Sequence, residues 1–158
     1  MPTKRRLATE FASPDESPGL LLWQVTNRWQ QAQRAALKPL GLTHVQFVLL
    51  ATLAWHGADG PITQRRLADE AATDPMMTSQ VLRALEASAL VERAPHPVDK
   101  RAHAVTVTDA GRALADRAVI LVEACDREFF APLGDQIGDF SRSLAVLRPS
   151  SASSEDTI

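Results

Sequence analysis

The sequence predicts a mainly α protein with a small β-hairpin, and three observations carry that reading. Alanine and leucine supply most of an apolar fraction of 45%, a composition that favours helices over strands. Apolar residues recur at three- and four-residue spacing between capping residues and prolines along most of the chain. One short stretch, Ala104-Val105-Thr106-Val107, instead alternates and is β-branched, the pattern of a half-buried strand. The length of 158 residues is that of one domain, within the roughly 100–200 residues usual for one.

Residues 1–16 mix charge, proline and serine without periodicity and read as a mobile arm. Ser17-Pro18 is a cap followed by proline in the first helical position. The helix it opens runs to Lys38, before Pro39 and Gly41, with Leu22, Val25, Trp29, Ala32 and Ala36 on one face. Thr43-His44-Val45-Gln46 matches a capping box and starts a second helix that stops at Gly57. Val45, Phe47, Val48, Leu49, Leu50 and Leu53 make that helix apolar nearly all round, so it is expected to be buried on several sides. Ile62-Thr63 opens a short third helix, with Ile62 and Leu67 placed to staple across the Thr63 cap. Asp74-Pro75 repeats the cap-then-proline signal and begins a fourth helix through Ser88. Leu90-Val91-Glu92-Arg93 and Ala104-Val105-Thr106-Val107 then suit an antiparallel hairpin with a long loop over 95–103. Thr108 caps a long fifth helix striped by Leu114, Ala118, Leu121, Cys125 and Phe129. Pro132-Leu133-Gly134 interrupts, and a last helix carries Ile137, Phe140, Leu144 and Leu147. Residues 149–158, rich in serine, read as a disordered tail.

Charge is unevenly placed. The net charge is −2, yet residues 1–61 carry six basic and four acidic side chains, 62–112 carry seven of each, and 113–158 carry four basic and eight acidic. Within the balanced middle, 93–103 holds Arg93, Lys100 and Arg101 against Asp99 alone, with His96 and His103 beside them. A local positive feature is therefore compatible with a globally acidic chain. A single cysteine fits a reducing compartment. The basic start lacks the apolar stretch of a signal peptide, and the longest apolar run, Phe47 to Trp55, is far short of the roughly 20 residues that span a bilayer. A cytoplasmic protein with no membrane partner is expected.

Residues 63–107 read as helix, short turn, helix and hairpin, which is a winged helix-turn-helix. Thr78, Val81, Leu82 and Leu85 form the inner face of the fourth helix, and Leu67, Ala68 and Ala71 that of the third. Met76, Met77, Ser79, Gln80 and Arg83 are left facing outward. Gln, Ser and Arg can hydrogen-bond base edges or phosphates, and Met can pack on a thymine methyl. An ordinary amphipathic helix pair in a bundle would show the same periodicity, and the hairpin is what separates the two readings.

The segment Asp99-Lys100-Arg101-Ala102-His103-Ala104-Val105-Thr106-Val107-Thr108-Asp109-Ala110-Gly111 resembles the wing signature of the MarR (multiple antibiotic resistance regulator) family: Asp99, Arg101, the apolar strand, Thr108 and Gly111. Upstream, Asp74 to Glu86 is similar to that family's recognition helix and Leu90-Val91-Glu92-Arg93 to the strand that follows it. The resemblance covers residues 18–147, with specific motifs confined to 67–114. Ala89 stands where the family often has glycine, so the end of the fourth helix is expected to be built differently here.

The resemblance implies a winged helix-turn-helix plus a helical dimerisation base: 17–61 as N-terminal helices, 62–108 as the DNA-binding region and 109–148 as C-terminal dimerisation helices. The apolar residues of the terminal helices agree. Leu22, Val25, Trp29, Phe129, Phe130, Ile137, Phe140, Leu144 and Leu147 exceed what peripheral helices of a small monomer leave uncovered, although they could also complete an intramolecular core. A homodimer would set two recognition helices in successive major grooves of a pseudo-palindromic double-stranded DNA operator. Met76, Met77, Ser79, Gln80 and Arg83 would then contact DNA together with Lys100, Arg101 and His103 of the wing. Arg101 is expected in the minor groove, with Asp99 stabilising the wing by an ion pair to it. The resemblance also places an effector pocket between base and winged helix, where Trp23, Asn27, His44, Phe47 and Trp55 fall, and a small aromatic acid would suit His44 and Asn27. The plainer alternative makes Phe47 and Trp55 core and Trp23 dimer interface.

No catalytic, cofactor or metal site is expected. The four histidines, His44, His56, His96 and His103, have no metal-ligand spacing and no second cysteine to support them. Cys125 lies on an apolar stripe among Glu123, Asp126 and Glu128, which disfavours a thiolate. The carboxylate pairs Asp15/Glu16, Asp69/Glu70 and Glu155/Asp156 read as solvated charge, and no phosphate loop or nucleophile arrangement can be placed. The function expected is a ligand-responsive, sequence-specific transcriptional repressor. The alternative is a winged-helix protein–protein interaction module without DNA binding, whose mark would be an apolar recognition face of the kind Met76 and Met77 begin.

Overall fold

The structure, a computed structural model, describes residues 7–57 and 59–148. The expected tail, 149–158, lies outside them, as do residues 1–6 of the expected arm, whereas 7–16 of that arm are described and end in a 3-10 turn over Pro14–Glu16. Six helices are laid down in order: α1 (Pro18–Leu37), α2 (His44–His56), α3 (Gln64–Ala71), α4 (Pro75–Ala87), α5 (Asp109–Phe130) and α6 (Ile137–Leu147). Three strands, β1 (Ile62–Thr63), β2 (Val91–Pro95) and β3 (His103–Val107), form one antiparallel sheet in the order β1-β3-β2.

Each expected cap is formed. The Ser17 hydroxyl accepts the Leu20 N–H, Thr63 that of Arg66 and Thr108 that of Gly111. Thr43 and Gln46 close a reciprocal capping box, and Asp74 Oδ1 accepts the N–H groups of Met76 and Met77 at 2.9 and 3.0 Å. These side chains satisfy donors that a helix start otherwise leaves open.

The core is a cluster around α2, where Phe47, Leu49, Leu50 and Leu53 are buried against Leu37, Leu67, Leu82, Leu85 and Val105. On either side the buried faces are rotated from the expected stripes. Along α1 the buried residues are Gln33 and Leu37, whereas Leu22 is 53% exposed. The physical reason is a polar hook. Asp126 on α5 accepts Trp29 Nε1 at 2.8 Å and Gln33 Nε2 at 2.6 Å, so Gln33 turns inward. Along α5 the buried set is Gly111, Ala115, Ala118 and Val122, and Leu114, Leu121, Cys125 and Phe129 are only half-buried. Small residues on the inner face let α5 lie close to its neighbours.

Two further expectations are corrected. Ile62-Thr63 does not merely open a helix. Its residues pair with Val105 and Ala104, making a third strand while Thr63 still caps α3. The end of α4 is not built differently: Ala89 takes φ +56°, the left-handed conformation that glycine would supply. The Leu90 N–H reaches the Leu85 carbonyl and the Ala89 N–H that of Glu86, while the Thr108 hydroxyl donates to the Ala89 carbonyl at 2.8 Å. Gly111 sits under this junction, where a Cβ would lie 2.0 Å from the Leu90 carbonyl oxygen.

After α5, a 3-10 segment over Ala131–Gln136 with a kink at Gly134 leads to α6, which buries none of its residues. Among the described residues, no single helix is long and apolar enough to cross a membrane.

Candidate nucleic-acid interface

Helices α3 and α4 cross over Leu67, Ala68, Thr78, Leu82 and Leu85, all buried. Thr78 is buried without penalty because its hydroxyl donates to the Asp74 carbonyl at 2.8 Å and lies 2.7 Å from the Thr73 hydroxyl. This anchoring turns the opposite face of α4 to solvent. Met76 is 74% exposed, Met77, Gln80 and Arg83 are exposed and Ser79 is half-buried. Arg83 Nη2 lies 3.4 Å from the Ser79 hydroxyl, so the two form one polar patch beside Gln80.

Beside α4 stands the wing, β2 and β3 with their connecting loop. Arg93 on β2 donates to Glu86 Oε2 of α4 through Nε at 3.0 Å and Nη2 at 2.7 Å. This half-buried ion pair sets the hairpin against the recognition helix. It was not legible in the sequence, because a seven-residue separation across a turn carries no helical or strand periodicity. The loop is closed by His96 N–H to the Ala102 carbonyl at 2.9 Å and Ala102 N–H to the Asp99 carbonyl at 3.0 Å. Lys100, Arg101 and His103 are exposed.

The expected ion pair between Asp99 and Arg101 is not formed. Asp99 Oδ1 instead accepts the backbone N–H of Arg101 at 3.0 Å, because a carboxylate two residues back reaches the main chain in a tight turn before it reaches a long side chain. Among the described residues the exposed guanidinium has no partner. Sequence reasoning also missed His96, whose Nδ1 accepts the backbone N–H groups of Val98 and Asp99, each at 3.2 Å.

Behind the recognition unit, His56 Nε2 pairs with Glu70 and Arg66 Nε bonds the same carboxylate at 2.7 Å, tying α2 to α3. Burial works against the Glu70 carboxylate, but Arg66 and His56 outweigh it and hold its pKa below the ordinary value.

The five expected effector residues lie on α1 and α2 in different environments. Trp23 is 69% exposed and Trp55 87% exposed, whereas Phe47 is buried in the core. Asn27 is spent on its own helix, donating to the Trp23 carbonyl at 2.7 Å. His44 stacks edge-on against Trp29 with ring centroids 5.0 Å apart. Trp55 is thus not core; it lies on the outer side of α2, whose inner side is already filled. A cavity of about 160 Å³ does exist between the end of α2, β3 and α5, lined by Leu53, His56, Val105 and Arg112 among others, and it contains none of the five. Cys125 is half-buried, and desolvation followed by Asp126 and Glu128 pushes its thiol pKa up.

A helix held polar side out, beside a cation-tipped hairpin locked to it by an ion pair, is a surface for reading a duplex. The class so defined is that of winged helix-turn-helix transcriptional regulators. The sequence model of the MarR family matches residues 42–103. The chain is 42% identical over 124 residues, covering 78% of it and 84% of the relative, to the uncharacterized HTH-type transcriptional regulator YdcH of Bacillus subtilis. Among solved structures, a Mycobacterium tuberculosis MarR family protein, Rv2887, in complex with salicylic acid is 36% identical, with TM-score 0.66, 85% of this chain and 99% of that one covered. A mutant MarR from E. coli complexed with operator DNA is 26% identical, with TM-score 0.74, 83% and 93% covered. The chain belongs to the MarR family.

Proposed function

We propose that the protein is a homodimeric, ligand-responsive transcriptional repressor, working in the cytoplasm on a pseudo-palindromic operator. The observation that carries this reading is the presentation of Ser79, Gln80 and Arg83 on the outer face of α4, next to a wing whose Arg101 guanidinium has no partner among the described residues while its backbone is fixed. The Met76 and Met77 side chains flank that patch and suit thymine methyl groups. Lys100 and His103 supply phosphate contacts, and Arg101 suits a narrow, A·T-rich minor groove. The operator complex of the E. coli relative supports this use of the fold. The dimer is supported by the apolar side chains that α1 and α6 leave uncovered, Trp23, Leu144, Val146 and Leu147 among them.

The effector reading is narrower. A relative binds salicylic acid, and we assign the class of small aromatic acids. Trp23 and Trp55 are largely exposed, and an effector site that uses them would be completed by the partner subunit.

The test is an electrophoretic shift with the promoter region adjoining the coding gene. Parent protein should shift it with a Kd of about 10⁻⁸–10⁻¹¹ M, the range of specific regulators at physiological salt. Arg101→Ala should weaken the shift by about 1–3 kcal/mol with an unchanged melting temperature, since the Arg101 side chain is exposed. Equal affinity of parent and variant would remove Arg101 from the interface. Absence of any shift would favour the protein-docking alternative that Met76 and Met77 allow.

A further inference from the structure

The wing tip holds a histidine where its turn needs an acceptor. His96 Nδ1 receives the N–H groups of Val98 and Asp99, each at 3.2 Å. Asp99 in turn receives the Arg101 N–H on its carboxylate at 3.0 Å and the Ala102 N–H on its carbonyl at 3.0 Å. The three residues are linked in series: His96 fixes the main chain of Asp99, and Asp99 fixes the main chain of Arg101. A ring nitrogen that accepts carries no proton, so this geometry uses the tautomer with its hydrogen on Nε2. We propose that His96 is the positioning residue of the DNA-reading wing and makes that reading proton-sensitive. This rests on the wing contacting DNA as argued above.

The sign follows from the geometry. A proton added at Nδ1 turns the acceptor into a donor that faces two backbone N–H groups, so the turn opens and Arg101 loses its aim. The same proton adds a positive charge near the phosphates, which strengthens binding to any duplex. Acidification should therefore erode discrimination more than overall affinity. The charged and titratable groups of the same wing segment are Asp99, Lys100 and Arg101 on the loop and His103 on β3, which pairs with Pro95 next to His96. Asp99 already has its carboxylate engaged with a backbone N–H, and the other three are cationic or become so on acidification, so none of these three offers the opened turn a replacement acceptor. An asparagine at 96 supplies a side-chain oxygen over a similar reach and cannot titrate.

The experiment measures fluorescence anisotropy with the labelled promoter duplex and with a scrambled duplex, at fixed salt, at about pH 7.5 and about pH 5.5. For the parent, the ratio of the two dissociation constants should fall about tenfold on acidification, the worth of one good contact. His96→Asn should keep the parent's pH 7.5 ratio at both pH values. His96→Ala should show the low ratio at both. Backbone amide NMR gives a DNA-free readout: the Val98 and Asp99 signals should move with the His96 ring titration in the parent and stay put in His96→Asn. A His96→Asn protein that retains the parent's pH response, or a His96→Ala protein that discriminates like the parent, would overturn the inference. If the parent fails to bind the promoter duplex even at the higher pH, the DNA-binding reading falls first and this one with it.

Discussion

Ala89 holds φ at +56°, where an L side chain costs about 1–2 kcal/mol, because the carbonyl on one side of it accepts from Thr108 and the amide on the other closes α4. Ala89→Gly removes the Cβ clash and returns part of the gain as backbone entropy in the unfolded chain. A net stabilisation of about 0.5–1 kcal/mol is expected in urea melts; an unchanged or lower midpoint would mean the junction is held by the Ala89 methyl. His44 gives a second residue-scale outcome. Burial lowers its pKa from the ordinary 6.5, with Arg34 adding to the effect and Asp126 opposing it. The folded protein therefore binds fewer protons at this site than the unfolded chain. Its contribution to stability is full above the ordinary imidazole value and is lost as pH falls from there through the lowered folded value. His44→Gln should flatten the dependence of stability between about pH 7.5 and 5.5, and melts at the two pH values with equal slopes for parent and variant would refute it.

At the scale of elements, α4 and the wing act as one reading unit because Glu86 and Arg93 join them. Within α4 the roles divide: Ser79 and Gln80 lie where base edges would be met. Ser79→Ala and Gln80→Ala should relax discrimination between operator variants more than they weaken non-specific binding, since base contacts specify and phosphate contacts position. Uniform loss across all sequences would reassign both to the backbone. Helix starts were legible in the sequence because Ser17, Thr43, Thr63, Asp74 and Thr108 each announce a cap through one short local contact. The buried faces of α1 and α5 were not, because Gln33 is drawn inside by Asp126, a residue 93 positions away. A periodicity reading counts glutamine as polar and cannot register such a partner. The wing hairpin was legible through its alternation, but the third strand was not, since two residues, Ile62 and Thr63, are too few to show a period. Likewise the solvent-facing residues of α4 followed from leftover helix positions, whereas His96 and Arg93 act through contacts that only the folded hairpin creates.

For the whole molecule, the question is what covers the apolar side chains of α1 and α6. Val146 is 83% and Leu147 74% exposed, and Leu22 and Trp23 are uncovered at the start of α1. Exposed large apolar residues gathered on terminal helices mark an association surface, and a homodimer with two-fold symmetry satisfies it with one self-complementary patch. The surface also decides DNA affinity, because a dimer binds its second half-site as an intramolecular event. A chain ending before Phe129 keeps the Asp126 hook and the winged helix but loses the end of α5 and all of α6. It should sediment as a monomer and bind the promoter duplex about 10²–10⁴-fold more weakly. Its half-site contacts should survive, so Arg101→Ala in the truncated chain should still weaken what binding remains by about 1–3 kcal/mol. A truncated chain that still sediments as a dimer would move the interface off the C-terminal helices. A truncated monomer that binds as tightly as the parent would show instead that the operator is read by one winged helix at a time.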